Sequence, residues 1–208
     1  MSQTLVLASQ SPRRKELLAQ LGYQFTTCAA DIDESVEANE LAEPYVRRLA
    51  EQKAQTVFLS LNKAASEPSA MADSATNYQV LGSDTSVVYQ GEILGKPSDF
   101  ADCQRMLNMF SGNVHQVYTA IAVANSRGVF SQVVTTDVYF KALSAREIEN
   151  YWRTGEPQDK AGSYGIQGIA GQFIEKIAGS YSSVVGLPLF ETSELLAQHG
   201  IMSAMQIE

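Results

Sequence analysis

The sequence predicts an α/β protein: a mixed, strongly twisted sheet flanked by helices, in two lobes around a central groove. Three observations predict it. The apolar run at residues 4–8 passes through the turn 9–14 into a helical pattern, which is a βα beginning. Two long β-rich runs, 114–124 and 129–140, are separated only by Asn125-Ser126-Arg127-Gly128, which makes them antiparallel neighbours. No repeat and no clean linker interrupts the chain, so both kinds of pairing belong to one domain, 1–208.

In the first helix Ser11 is placed to cap, Pro12 to stand first, and Gly22 to close. Arg13 and Arg14 then fall in the first turn, where unpaired N–H groups already make the field positive. An anion held over the turn by the amides and both guanidinium forks would resolve the conflict; the plainer alternative is a solvated basic turn. Residues 44–59 read as a second helix, with Val46, Leu49, Ala50, Lys53, Ala54 and Val57 on one stripe. Lys53 therefore faces inward, either into a pocket or snorkelling past the core.

Residues 61–78, rich in Ala and Ser and carrying Pro68, read as a long surface connection. Residues 79–89 are strand-like, and Gln90-Gly91 turns them onto Glu92-Ile93-Leu94 as a hairpin. A helix over 99–110 carries Phe100, Cys103, Leu107 and Phe110 on one side. Ser144 and Glu147 have the spacing of a capping box for a helix with Ile148, Tyr151 and Trp152, ended by Gly155. Residues 156–171, with Gly162, Gly165, Gly168 and Gly171, form an aperiodic functional loop. A short strand over 173–177, a Gly/Ser loop over 179–183 and a helix between Pro188 and Gly200 complete the chain.

Composition narrows the function. The 15 Lys and Arg against 23 Asp and Glu give a net charge of −8, which argues against a general nucleic-acid-binding surface and confines any polyanion site to a local patch. Cys28 and Cys103 lie in unrelated segments, the pattern of a reduced intracellular chain. His115 and His199 stand apart from them, which opposes structural zinc, and read as ordinary polar residues at element ends. No stretch approaches the ~20 apolar residues of a membrane span and no signal segment is evident, so the expectation is a cytoplasmic protein with no membrane partner.

Asp84 interrupts an apolar strand, Val80-Leu81-Gly82-Ser83-Asp84-Thr85-Ser86-Val87-Val88. Strand interiors disfavour Asp and a buried carboxylate needs a partner or a metal, so Asp84 is either a working acid or base or a structurally hydrogen-bonded one. Glu34, in the acidic turn Asp31-Ile32-Asp33-Glu34, could give oxygen ligands to Mg²⁺ or Mn²⁺, or belong to a solvated loop. Lys96 lies on the rigid turn Gly95-Lys96-Pro97. The segment 162–168 offers backbone donors, two hydroxyls, an aromatic face and one amide, a set suited to a base or ribose.

Five stretches carry a resemblance: Ser9-Gln10-Ser11-Pro12-Arg13-Arg14; Gly82-Ser83-Asp84-Thr85; Gly95-Lys96-Pro97; residues 159–168; and Gly179-Ser180-Tyr181 through Val184-Val185-Gly186-Leu187-Pro188. Together they resemble the Maf family of nucleoside triphosphate pyrophosphatases over nearly the whole chain. The resemblance implies a Maf/ITPase-like fold and hydrolysis of a nucleoside triphosphate between its α and β phosphates with Mg²⁺ or Mn²⁺, nearest the dTTP/UTP branch. It implies Asp84 as proton acceptor, with Glu34 and Asp84 as metal candidates. It implies that Arg13, Thr85 and Gln167 bear on substrate choice, that Ser9, Arg14, Glu34, Lys53 and Lys96 line the groove, and that the protein is a homodimer.

Asp84, with a reference pKa of about 3.9, is too weak a base to deprotonate water without burial or a cation. The Gln167 amide has a donor and an acceptor that match the O4 and N3–H edge of thymine and uracil, a pattern that cytosine reverses. Two other functions fit the same site: a pyrophosphatase for non-standard nucleotides, and a nucleotide-binding regulator of division or septum formation that senses without hydrolysing.

Overall fold

The expected βα beginning is present in the computed structural model, which describes residues 3–65 and 77–206. Strand β1 (Gln3–Leu7) leads to helix α1 (Pro12–Gln20), where Ser11 accepts from the Arg14 N–H and Pro12 begins the helix. A three-residue strand, β2 (Phe25–Thr27), runs parallel to β1 and is too short for alternation to reveal it. Helix α2 (Ala42–Ala65) runs past both expected ends, and β3 (Asn77–Tyr89) begins earlier than expected. The expected connection over 61–78 is thus corrected at both margins, because Leu61 and Tyr78 pack against the core on either side of it. Its middle, 66–76, lies outside the described residues.

The hairpin of β3 with β4 (Glu92–Leu94) forms as expected, followed by α3 (Phe100–Phe110) capped by Asp99. Strands β5 (Val114–Asn125) and β6 (Gly128–Phe140) pair antiparallel, and α4 (Ala145–Arg153) has the full Ser144/Glu147 capping box. The loop after it folds into three 3-10 turns, Glu156–Asp159, Ala161–Ser163 and Ile169–Phe173, before β7 (Ile174–Ala178). The second Gly/Ser loop is a correction: Ser180 caps a short helix, α5 (Tyr181–Val185), ahead of α6 (Leu189–Gln198).

The sheet has the order β2-β1-β3-β5-β6-β7, with β4 also on β3. Among the described residues only the β1 pairings are parallel, so the sheet is mixed; it is twisted and flanked by helices. Helix α2 lies very close to it over small residues, Ala50 and Ala54 against Ala120 and Ala122. At Gly82 any Cβ would stand 2.3 Å from the Ala50 carbonyl oxygen, so the helix backbone reaches β3 only because that residue is glycine. Both cysteines are free, and among the described residues no helix is long and apolar enough to cross a membrane.

One detail of pairing places the site. Along one edge of β3 the pairing with β1 stops at Leu7↔Leu81 and that with β4 starts at Val87↔Leu94, while β5 covers the other edge throughout. Among the described residues no strand pairs with 82–86 on the first edge, beside the carboxyl end of β1 and the N-terminus of α1. This is the end of a parallel strand where α/β proteins bind ligands.

Candidate active site

Side chains of β3 alternate across the sheet, and the gap in its edge opens both faces to one cleft. Asp84 shares the face of Gly82, under α2. There its Oδ1 lies 2.8 Å from Lys53 Nζ, and both side chains are about nine-tenths buried. Lys53 also meets Glu34 Oε1 at 2.7 Å, so one ammonium joins the two carboxylates. The Glu34 segment is tied to α2 by the Tyr45 hydroxyl, which donates to the Glu34 carbonyl at 2.8 Å, and by Arg48, which donates to the Ser35 carbonyl. Burial pushes the Tyr45 phenol up to about 12, so it stays a donor.

On the opposite face, Arg14 Nε donates to the Gly186 carbonyl at 2.9 Å and its Nη2 to Thr85 Oγ1 at 3.1 Å. Thr119 donates its only hydroxyl proton to the Ser183 carbonyl at 2.8 Å. In its 3.0 Å contact with Thr85, Thr119 must then be the acceptor and Thr85 the donor. A directed chain results, Arg14 to Thr85 to Thr119 to Ser183, and it commits two of the three Arg14 guanidinium nitrogens within the protein. Gly186, at φ +129°, bends the chain in a way that a side chain would resist and turns its carbonyl to Arg14 and to Ser83 Oγ.

These two faces form part of a cleft of about 740 Å³ that brings together all nine residues singled out from the sequence: Ser9, Arg13, Arg14, Glu34, Lys53, Asp84, Thr85, Lys96 and Gln167. Ser9 Oγ accepts from the Ser11 N–H and shapes the turn before α1. Arg13, Lys96 and Gln167 are exposed on the rim, and none makes a hydrogen bond or ion pair among the described residues.

Electrostatics separates the floor from the rim. Burial raises the Asp84 carboxyl above its ordinary range, against the pull of Lys53 and Arg14. Burial also lowers the Arg14 guanidinium, which Asp84 and Glu34 partly offset.

The 162–168 segment departs from expectation. Ser163 is fully buried with its hydroxyl on Met106 Sδ, and Tyr164 is turned into the core, where its hydroxyl meets His115 Nε2 at 2.8 Å. The ring packs against Phe110 and Phe140, so although Tyr164 and Ile166 line the cleft, the backbone and the Gln167 amide are the polar groups this segment offers it. Both histidines sit at element ends as expected, but His115 is fully buried and its Nδ1 has no partner among the described residues. Thr119, His115 and Glu156 are site-building residues that the sequence did not single out. Thr119 and His115 alternate like ordinary strand residues, and only the Gly186-Leu187-Pro188 motif hinted at the Arg14 anchor.

An α/β sheet with a strand-edge gap, a helix N-terminus and a cation-lined cleft around a buried carboxylate defines the class of phosphate-handling α/β proteins. The chain belongs to the Maf family: the model of the Maf-like protein family matches residues 4–199. It is 60% identical over 204 residues to the dTTP/UTP pyrophosphatase of Colwellia psychrerythraea, covering 98% of this chain and 92% of that one. It is 53% identical over 197 residues to the dTTP/UTP pyrophosphatase of Vibrio parahaemolyticus, covering 95% and 97%. To that of Pseudoalteromonas atlantica it is 52% identical over 194 residues, covering 93% and 96%.

Proposed function

We propose that the protein hydrolyses dTTP and UTP between the α and β phosphates, yielding the nucleoside monophosphate and pyrophosphate. One observation carries the reading: a buried carboxylate, raised by burial and held against an ammonium, lies on the floor of a cleft whose rim carries Arg13 and Lys96. The names of the relatives point to the same substrates.

In this reading the first-turn amides of α1, with Arg13 and Lys96, hold the phosphate chain, and Arg14 adds a fixed charge from the wall. Catalysis of such a reaction is chiefly positioning and electrostatic stabilisation, which fits charges fixed before substrate arrives. Asp84 orients the attacking water and accepts its proton; burial makes it a stronger base, while Lys53 keeps it ionised. Gln167 reads the base edge, and Thr85 acts on substrate choice through Arg14, because its own proton goes to Thr119.

The donor chemistry fits a hard cation such as Mg²⁺ or Mn²⁺, since Glu34 and Asp84 supply carboxylate oxygens, both gathered on Lys53 Nζ, that such a cation would take in place of the ammonium. Among the described residues no group of three or more His, Cys, Asp or Glu could hold a metal, so its other ligands would be substrate phosphate and water. Bound there, the cation would neutralise phosphate charge and acidify water. We further read the chain as one domain of two lobes, a cytoplasmic homodimer acting on free nucleotides.

The test is product mapping from dTTP with Mg²⁺. Monophosphate and pyrophosphate in equal amounts are expected; orthophosphate would refute the proposed bond cleavage.

A further inference from the structure

We infer that Glu156 is a positioning residue for base choice, acting through Gln167. The inference rests on the proposed base-reading role of Gln167. Glu156 lines the cleft, half-buried, and its carboxylate accepts three hydrogen bonds: from the Tyr151 hydroxyl at 2.8 Å, the Ile169 N–H at 2.8 Å and the Ala170 N–H at 3.3 Å. Ile169 and Ala170 follow Gln167 by two and three residues. On the near side the Gly168 N–H donates to the Gly165 carbonyl at 3.0 Å, closing a tight turn that carries Gln167.

Gln167 has no hydrogen bond of its own among the described residues, so the backbone beneath it sets where its amide stands. That backbone is fastened to Glu156, and Glu156 to the core, because Tyr151 is buried with its ring 5.2 Å from that of Phe173 in edge contact. A Cβ at Gly168 would stand 2.4 Å from the carboxylate, so glycine there is what admits the clamp. Burial opposes ionisation of Glu156, but the Ile169 N–H, the Tyr151 hydroxyl, the Ala170 N–H and the Lys160 charge together outweigh it and hold the carboxyl below its ordinary range.

The same geometry gives two independent ways to release the turn. Glu156→Gln replaces one accepting oxygen with a donor facing backbone N–H groups, and Gly168→Ala pushes the carboxylate off its donors. A displacement of about 1 Å in a positioning group can cost on the order of 10²-fold.

The experiment measures kcat/KM for dTTP and dCTP in the wild type, Glu156→Gln, Gly168→Ala and Gln167→Ala. The dTTP/dCTP ratio is expected to collapse in Gln167→Ala and to fall about ten- to hundredfold in the other two variants. Equal losses on both substrates in Glu156→Gln and Gly168→Ala, beside a collapse in Gln167→Ala, would mark a merely structural role and overturn the inference alone. An unchanged ratio in Gln167→Ala would overturn the base-reading role and the inference with it. Tyr151→Phe, which removes one donor and keeps the ring, gives a smaller fall in the same direction and carries the test should Glu156→Gln fail to fold.

Discussion

Arg13 and Arg14 are adjacent in the chain and belong to different regions of the cleft. Arg14 is built into the wall, with two guanidinium nitrogens committed to Gly186 and Thr85 and a buried threonine behind them. Arg13 is exposed on the rim with Lys96 and Gln167 and makes no hydrogen bond or ion pair among the described residues. Charges that shape the site are satisfied by the protein, whereas those on the rim are left to the ligand. Wall substitutions should therefore cost stability as well as activity, and rim substitutions activity alone.

The largest break is expected at Gly82, where α2 meets β3 backbone to backbone. Gly82→Ala should destabilise by about 3 kcal/mol or more in urea unfolding and lower kcat, since shifting α2 moves Lys53 from Asp84. Thr119→Val comes next. It strips the buried Ser183 carbonyl of a donor and Thr85 of an acceptor, at about 2 kcal/mol, and should raise KM for dTTP. Thr119→Ser should restore both.

The seam between wall and loop gives a similar effect on acidification. Burial drives the His115 imidazole down from 6.5 to about 3. Between those values the unfolded chain binds a proton that the native state does not, so stability falls as pH falls through the window. From pH 7 to pH 5 the wild type should lose about 2 kcal/mol more than His115→Gln, by urea titration at both pH values. The smallest effect on stability is expected on the rim: Arg13→Ala should stay within about 0.5 kcal/mol of the wild type in urea unfolding. Its KM for dTTP should nevertheless rise several-fold, most at low salt, where exposed charge is least screened.

What could be read in the sequence was whatever broke a local rule. Asp84 in an apolar strand, Lys53 on an apolar stripe and two arginines at a helix start each stand out without a partner in view. The strand–turn–helix start and the long hairpin were equally visible, because their patterns are local. The sheet-edge gap was hidden, since it depends on where two other strands stop. So were the inward turn of Tyr164, set by a histidine 49 residues away, and the part played by Thr119, which in sequence is one more strand threonine. Helix α5 was hidden for a different reason: Ser182, Ser183 and paired valines have little intrinsic preference for a helix, and packing decided it.

The central claim is that Asp84 serves the reaction rather than the fold or mere binding. Turnover of dTTP by Asp84→Asn with Mg²⁺, measured beside nucleotide binding by calorimetry, tests it most directly. The account predicts a fall in kcat of about 10²- to 10⁴-fold with binding largely retained. Turnover near the wild-type rate in a folded, nucleotide-binding variant would contradict it.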